Sequence, residues 1–107
     1  MKTKTFTRCQ ARARVFKALG HPARLCMVEE LGKGERCVCE LTDLLELDMS
    51  TVSRHLSVLK SAGVVEDEKR GLQVFYHLKV PCVLNLFPCV ESVLKCNVEA
   101  QLAAVEE

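Results

Sequence analysis

The chain has 107 residues, of which 49% are hydrophobic and 27% are charged, and its formal net charge is +1. This length predicts a single domain, residues 1–107, with a modest core that a dimer would enlarge. No run of about eighteen apolar residues occurs, and the basic N-terminus lacks the apolar segment of a secretory signal. We therefore expect no membrane segment and a cytoplasmic location.

The seven cysteines are odd in number and irregularly spaced, and nothing directs export, so we expect free thiols rather than a disulfide framework. Charge is segregated, because residues 1–24 carry seven Lys or Arg and no acid, whereas residues 80–107 are acidic on balance. A basic segment is most often a solvated face. Beside a nucleic-acid reader, however, it would add affinity through counterion release.

Glycine and proline punctuate the first half of the chain into helices. The first helix is predicted over residues 6–18 and ends at Gly20, and Pro22 suits the first turn of the second. The glycine-bearing segment 32–36 ends that second helix. A third helix is predicted over residues 38–45 and begins at the cysteine pair. Its inward residues are predicted to be Leu41, Leu44 and Leu45.

A fourth helix is predicted over about residues 49–62, with Asp48 as its N-cap and Gly63 after its end. One apolar stripe should face the core, formed by Met49, Val52, Leu56 and Leu59. The other face is polar and presents Ser50, Thr51, Ser53, Arg54, His55, Ser57 and Lys60. Arginine can pair with guanine edges, and hydroxyls can bond bases or phosphates, so this face is suited to a DNA major groove.

Residues of about 64–79 are predicted to form a strand pair with Arg70 and Gly71 at a basic tip, and Arg70 is a further candidate DNA contact. The segment from about 81–105 is apolar and predicted to be a dimerisation helix, which Pro88 would kink or restart. Three cysteines, Cys82, Cys89 and Cys96, recur every seven residues along it. They fit a packing seam, with a ligand role between two chains left open.

The elements together predict a mainly α fold with a small β-hairpin, a dimeric winged helix-turn-helix. No Ser-His-Asp or paired-carboxylate arrangement and no Cys-x-x-Cys or glycine-rich phosphate loop occurs. The hydroxyl side chains gather instead on the predicted DNA face. We therefore expect a DNA-binding protein and not an enzyme.

Cys37 and Cys39 stand one residue apart at the start of the third helix. A helix N-terminus and the neighbouring Arg36 should lower the thiol pKa and make the pair reactive. Residues two apart in a regular helix point about 200° away from each other, so one ion can bind both sulfurs only if the first turn is open. We interpret the pair as the ligand for a soft ion.

The strings HPARL, CVCEL, STVSRHLSVLKSAGVV and GLQVFYHL occur in an order that resembles the ArsR/SmtB metalloregulatory repressors, over roughly residues 10–79. CVCEL is similar to the thiol site of their arsenical-resistance and cadmium/lead branches. The resemblance implies a homodimeric repressor that binds double-stranded operator DNA, needs no resident cofactor and leaves when a toxic metal or metalloid binds.

Within that resemblance, As(III) or Sb(III) is the expected inducer, and Cd(II) or Pb(II) the alternative. A metalloid should require three sulfurs, yet the third cysteine of the arsenical-resistance pattern is replaced here by Thr42. Cys9 is the candidate third ligand, as in the cadmium/lead branch, where N-terminal cysteines join the pair. A thiol-redox or persulfide sensor on the same fold is the remaining alternative.

Overall fold

The computed structural model describes residues 3–106, so the ends of the predicted domain, residues 1 and 107, lie outside the described residues. Five α-helices, three strands and one short 3₁₀ helix follow one another in those residues. In chain order they are α1 (Thr3–Leu19), α2 (Pro22–Leu31), β1 (Arg36–Cys37), α3 (Val38–Leu45), α4 (Met49–Ser61), β2 (Val65–Arg70), β3 (Gln73–Leu78), the 3₁₀ helix (Pro81–Asn85) and α5 (Leu86–Glu106).

Local sequence explains where the helices begin. His21 precedes α2, and its Nδ1 accepts a hydrogen bond from the backbone N–H of Ala23 at 3.1 Å, while Pro22 occupies the first helical position. Asp48 precedes α4 with extended backbone, as predicted. These positions confirm the predicted starts of both helices.

The three strands form an antiparallel sheet in the order β1-β3-β2. Strands β2 and β3 are the predicted hairpin, paired from Val65 with Leu78 to Arg70 with Gln73. Gly71 opens the two-residue turn with φ of 63°, a conformation that favours glycine. The short strand β1 was not predicted, and it pairs Cys37 with Phe75 of β3.

The core lies between α2, α3, α4 and the sheet. Its fully buried side chains are Met27, Val28, Leu41, Val52, Leu56, Leu59 and Val65. Two residues predicted to face inward do not: Leu44 is 54% exposed and Met49 is 57% exposed. Leu44 falls on the edge of α3 away from Val38 and Leu45, and Met49 is the first residue of its helix.

The C-terminal segment differs from the single predicted helix. Residues 81–85 form the 3₁₀ helix, and α5 starts at Leu86, which places Pro88 in the first turn, where its missing N–H is tolerated. No residue of α5 is buried. The radius of gyration is 17.1 Å, well above the roughly 13 Å of a compact domain of this size, because the 21 residues of α5 are not packed into the core. None of the described helices is long and apolar enough to cross a membrane.

Candidate nucleic-acid interface and thiol pair

The N-terminal half of α4 presents the predicted polar face. Ser53, Arg54 and Ser57 are exposed, and Thr51 is half-buried. Ser50 is exposed as well, and its Oγ donates to Asp48 Oδ2 at 2.8 Å. Hydrogen bonds from the Thr51 and Ser50 side chains hold the pKa of Asp48 below its usual value. The start of α4 is thus fixed by its own polar residues, and Arg54 projects without a salt-bridge partner among residues 3–106.

His55 does not point outward with the others, contrary to the sequence prediction. Its ring packs against that of His21, with centroids 4.4 Å apart, and its Nδ1 lies 3.2 Å from Nη1 of Arg24. Burial lowers the pKa of His55, and the positive charge of its neighbours lowers it further. His55 therefore joins α4 to the start of α2 and is turned away from the polar face.

Lys60 and Arg70 are both held by carboxylates. Lys60 Nζ lies 2.9 Å from Oδ1 of Asp67 on β2, which raises the pKa of the lysine. Arg70 donates to both carboxylate oxygens of Glu35, one of them at 3.1 Å, and also to Glu68 at 2.8 Å. Sequence reasoning placed both cations on the DNA face but missed their acidic partners, which are close only in the folded chain.

The Sγ atoms of Cys37 and Cys39 lie 3.3 Å apart. This is possible because Cys37 is the N-cap of α3 with extended backbone (φ −81°, ψ 163°), so it is not part of the regular helix. A reciprocal cap holds it there: the backbone N–H of Cys37 donates to Glu40 Oε1 at 3.1 Å, and the N–H of Glu40 donates to Cys37 Sγ at 3.4 Å. The first turn of α3 is therefore already open, as binding of one ion by both sulfurs requires.

The reactivity predicted for the pair needs correction at Cys37. Its side chain is only 5% exposed, because β1 packs beside β3, whereas Cys39 is exposed. Burial raises the pKa of the Cys37 thiol, although the hydrogen bond from the backbone of Glu40 opposes that shift. The pair therefore combines one buried, protonated sulfur with one that solvent reaches.

Two residues that the sequence did not single out connect the pair to the hairpin. Gln73 Nε2 on β3 lies 3.9 Å from Cys39 Sγ. Glu35, two residues before Cys37, is the partner of Arg70 at the hairpin tip. In the sequence Glu35 lies 35 positions before Arg70, so only its negative charge could have suggested this pairing.

The remaining cysteines lie away from the pair in a single chain. Among residues 3–106 no group of three His, Cys, Asp or Glu side chains is placed to hold a metal ion. Cys9 is exposed on α1, and Cys26 is exposed on α2. Cys82 lies in the 3₁₀ helix, and only Cys89 and Cys96 lie on α5.

Comparisons with known proteins agree with this architecture. Residues 21–67 match the model of the family described as bacterial regulatory protein, arsR family. The arsenic resistance transcriptional regulator ArsR1 of Pseudomonas putida is 45% identical over 65 residues, which are 60% of this chain and 51% of ArsR1. The cadmium resistance transcriptional regulatory protein CadC of Listeria innocua is 39% identical over 72 residues, which are 66% of this chain and 60% of CadC.

A solved structure extends the similarity along nearly the whole chain. It is the homodimeric winged helix-turn-helix DNA-binding domain of a Mycobacterium bovis protein described as a possible ArsR-family transcriptional regulator. The TM-score is 0.77 at 30% identity, and the match covers 94% of this chain and 93% of that domain.

The helix-turn-helix of α3 and α4 with its β2-β3 wing defines a DNA-binding transcriptional regulator and not an enzyme. The chain belongs to the ArsR family of bacterial regulatory proteins. It matches only about half to three-fifths of the length of the two curated relatives named above.

Proposed function

We propose that this protein is a homodimeric transcriptional repressor that binds a palindromic operator and is released when As(III) or Sb(III) binds at Cys37 and Cys39. The observation that carries the proposal is the 3.3 Å separation of the two sulfurs at the point where α3 meets the wing. An arsenic resistance regulator among the relatives agrees with the metalloid, and a cadmium resistance regulator keeps Cd(II) as the alternative.

The DNA half of the proposal rests on α4. Its exposed face supplies a major groove with hydroxyl donors from Ser50, Thr51, Ser53 and Ser57. It also supplies the guanidinium of Arg54, which has no carboxylate partner among residues 3–106. Lys60 and Arg70 lie at the edges of this face, where they can reach phosphates only by sharing or leaving their carboxylates. We expect Arg54 to be the main base-reading residue.

The dimer half rests on α5, which exposes an apolar surface along its whole length. Val90, Val93, Leu94, Val98 and Leu102 are each more than half exposed. A water-exposed stripe of this length is unfavourable unless another surface covers it. A second copy of the chain would cover it, as the homodimeric state of the Mycobacterium bovis domain supports. Two recognition helices would then address two half-sites.

The fit of an ion to the pair follows from the sulfur separation. At a metal–sulfur bond of about 2.3 Å, two sulfurs 3.3 Å apart subtend about 92° at the ion, well below the tetrahedral angle of about 109°. A narrow angle suits the three-sulfur pyramid of As(III) or Sb(III) better than a four-coordinate site. Thiolate ligands also select soft ions over hard ones.

Among residues 3–106 of one protomer no third ligand lies close enough to Cys37 and Cys39 to complete a metal site. We therefore infer that the third sulfur comes from the second protomer. Cys9 lies on the side of α1 that also carries Phe6 and Phe16, and both aromatic side chains are about half exposed or more. An exposed apolar side of α1 would lie against the second copy, which brings Cys9 toward the partner chain. We therefore propose Cys9 of the second protomer as the third ligand.

Release from the operator would follow because both cysteines are connected to β3 of the wing. Cys37 pairs with Phe75 of β3, and Cys39 lies beside Gln73 of the same strand. An ion bound also to the third sulfur would pull on both cysteines, and through them on the wing and on the first turn of α3, which packs on α4. Small displacements in both protomers would spoil the half-site spacing that simultaneous docking requires.

An anisotropy titration of the reduced protein on its own upstream DNA tests the proposal. As(III), Sb(III), Cd(II), Pb(II) and Zn(II) are added in turn, followed by an oxidant and a persulfide donor. Release by As(III) or Sb(III) at the lowest concentration supports the metalloid. Release first by Cd(II) or Pb(II), or only by the oxidant or persulfide donor, would replace the inducer by the corresponding alternative.

A further inference from the structure

A basic groove runs between α1 and α4. Its volume is about 740 Å³. The polar side chains that line it are Arg14, Lys17, Arg24, Arg54, Ser57 and Ser61, and no acidic residue is among its walls. Four cations from three helices therefore face one open channel.

None of these four cations has a carboxylate within salt-bridge distance among residues 3–106. Arg24 is nevertheless held in place, because it donates to the backbone carbonyls of Ala18 and Lys17 and lies against His55. A guanidinium fixed by neutral groups keeps its whole charge available to the groove. Helix α1 adds to the field, since Thr3–Leu19 contains no acid.

The side of α4 that meets β2 is different. Lys60 there is neutralised by Asp67, and the wing tip beyond it carries Arg70 bound to two carboxylates. The uncompensated positive charge next to the recognition helix is thus concentrated on its α1 side. Arg54 and Ser57 belong both to the exposed face of α4 and to the wall of this groove, so the two surfaces are continuous.

We propose that this groove holds the sugar-phosphate backbone that borders the half-site, with Arg14 and Lys17 of α1 as phosphate contacts. The inference rests on the proposed operator binding and extends it to a helix outside the helix-turn-helix. A polyanion fits this groove better than a small anion, because the groove is open to solvent and its four cations come from three different helices. DNA offers one charge per about 3.4 Å of each strand, which several cations can meet together.

The salt dependence of operator affinity tests the inference. Each phosphate contact contributes a slope of about −0.9 to log K against log salt, and a phosphate contact is lost equally from specific and non-specific DNA. The double variant Arg14→Ala/Lys17→Ala should therefore reduce the slope by about two. It should weaken binding to operator and to scrambled DNA by the same factor.

The matched control is Arg8→Ala/Arg12→Ala, which removes two positive charges from α1 but none from the walls of the groove. It should leave the slope within about half a unit of the wild-type value. Circular dichroism and sedimentation verify that both variants are folded and have the wild-type oligomeric state.

An unchanged slope in the groove variant, with Arg54→Ala still losing operator binding, would overturn the groove contact and leave the proposed function intact. An equal loss of slope in the control would also overturn it, because the effect would then be one of total charge. Absence of DNA binding by the wild-type protein would overturn the proposed function and this inference with it.

Discussion

Arg70, at the tip of the wing, donates to both carboxylate oxygens of Glu35, two residues before the buried thiol of Cys37. The same guanidinium lies over the ring of Phe75, 4.8 Å from its centroid, and Phe75 is the strand partner of Cys37. The wing and the thiol pair are therefore joined both by an ion pair and by strand pairing.

Glu35→Gln should weaken this connection while leaving the sulfurs in place. We expect the variant to bind the inducer with wild-type affinity. The inducer should, however, lower the operator affinity of the variant by a smaller factor than it lowers that of the wild type. Allosteric effectors ordinarily change the affinity for the second ligand by about 5-fold to 150-fold. Operator affinity measured with and without saturating As(III) gives the coupling directly. The matched control is Glu30→Gln, which removes the ion pair between Glu30 on α2 and Lys33. The inducer should lower the operator affinity of this control as much as it does in the wild type.

Arg54→Ala should reduce operator affinity by about 5-fold to 150-fold, since a bidentate arginine contact to guanine is worth about 1–3 kcal/mol. Binding to scrambled DNA should change much less. Lys60→Ala removes a cation that Asp67 already neutralises, so its effect should be small. Fluorescence anisotropy on both DNAs measures these differences, and equal losses for the two variants would contradict the assignment of Arg54 as the base reader.

Leu94→Glu should break the dimer, because it places a carboxylate in the exposed apolar stripe of α5. Operator affinity should fall with the dimer, since one half-site then binds alone. Ala103→Glu adds the same charge to the opposite side of α5 and should stay dimeric. Sedimentation equilibrium measures the oligomeric state of both variants. A monomeric Ala103→Glu or a dimeric Leu94→Glu would show that the dimer interface lies elsewhere.

The pH dependence of binding should separate the inducers. Burial raises the pKa of Cys37, so this thiol is protonated near neutral pH, and Pb(II) or Cd(II) must displace its proton. Affinity for these ions should rise by about tenfold per pH unit for each protonated thiol between pH 6 and 8. As(OH)₃ forms each As–S bond with loss of one water and releases no net proton, so its affinity should stay nearly constant. A flat Pb(II) profile would contradict the raised pKa.

Local signals in the sequence were sufficient for most of the fold. Pro22 after His21, Asp48 before an apolar stripe and Gly71 at the hairpin tip are each decided by neighbouring residues, and all three lie where they were predicted. Leu44 and Met49 were misplaced, because helical spacing gives a direction but not the reach of the neighbouring elements.

The site was harder to predict, because its contacts join distant parts of the chain. Pairing of Cys37 with Phe75 buries the thiol and reverses the expected direction of its pKa shift. His55 faces Arg24, and Lys60 faces Asp67, although sequence spacing alone put both on the polar face of α4. Periodicity carries no information about which charged partner the fold brings near.

The most direct test of the thiol pair as inducer site compares Cys37→Ser with Cys26→Ser. The second variant is the control, because Cys26 is an exposed cysteine on α2 outside the pair. Both variants are bound to operator DNA and titrated with As(III) while anisotropy is followed. We expect both to bind DNA as the wild type does, and only Cys26→Ser to be released. Release of Cys37→Ser at the wild-type concentration of As(III) would contradict the account.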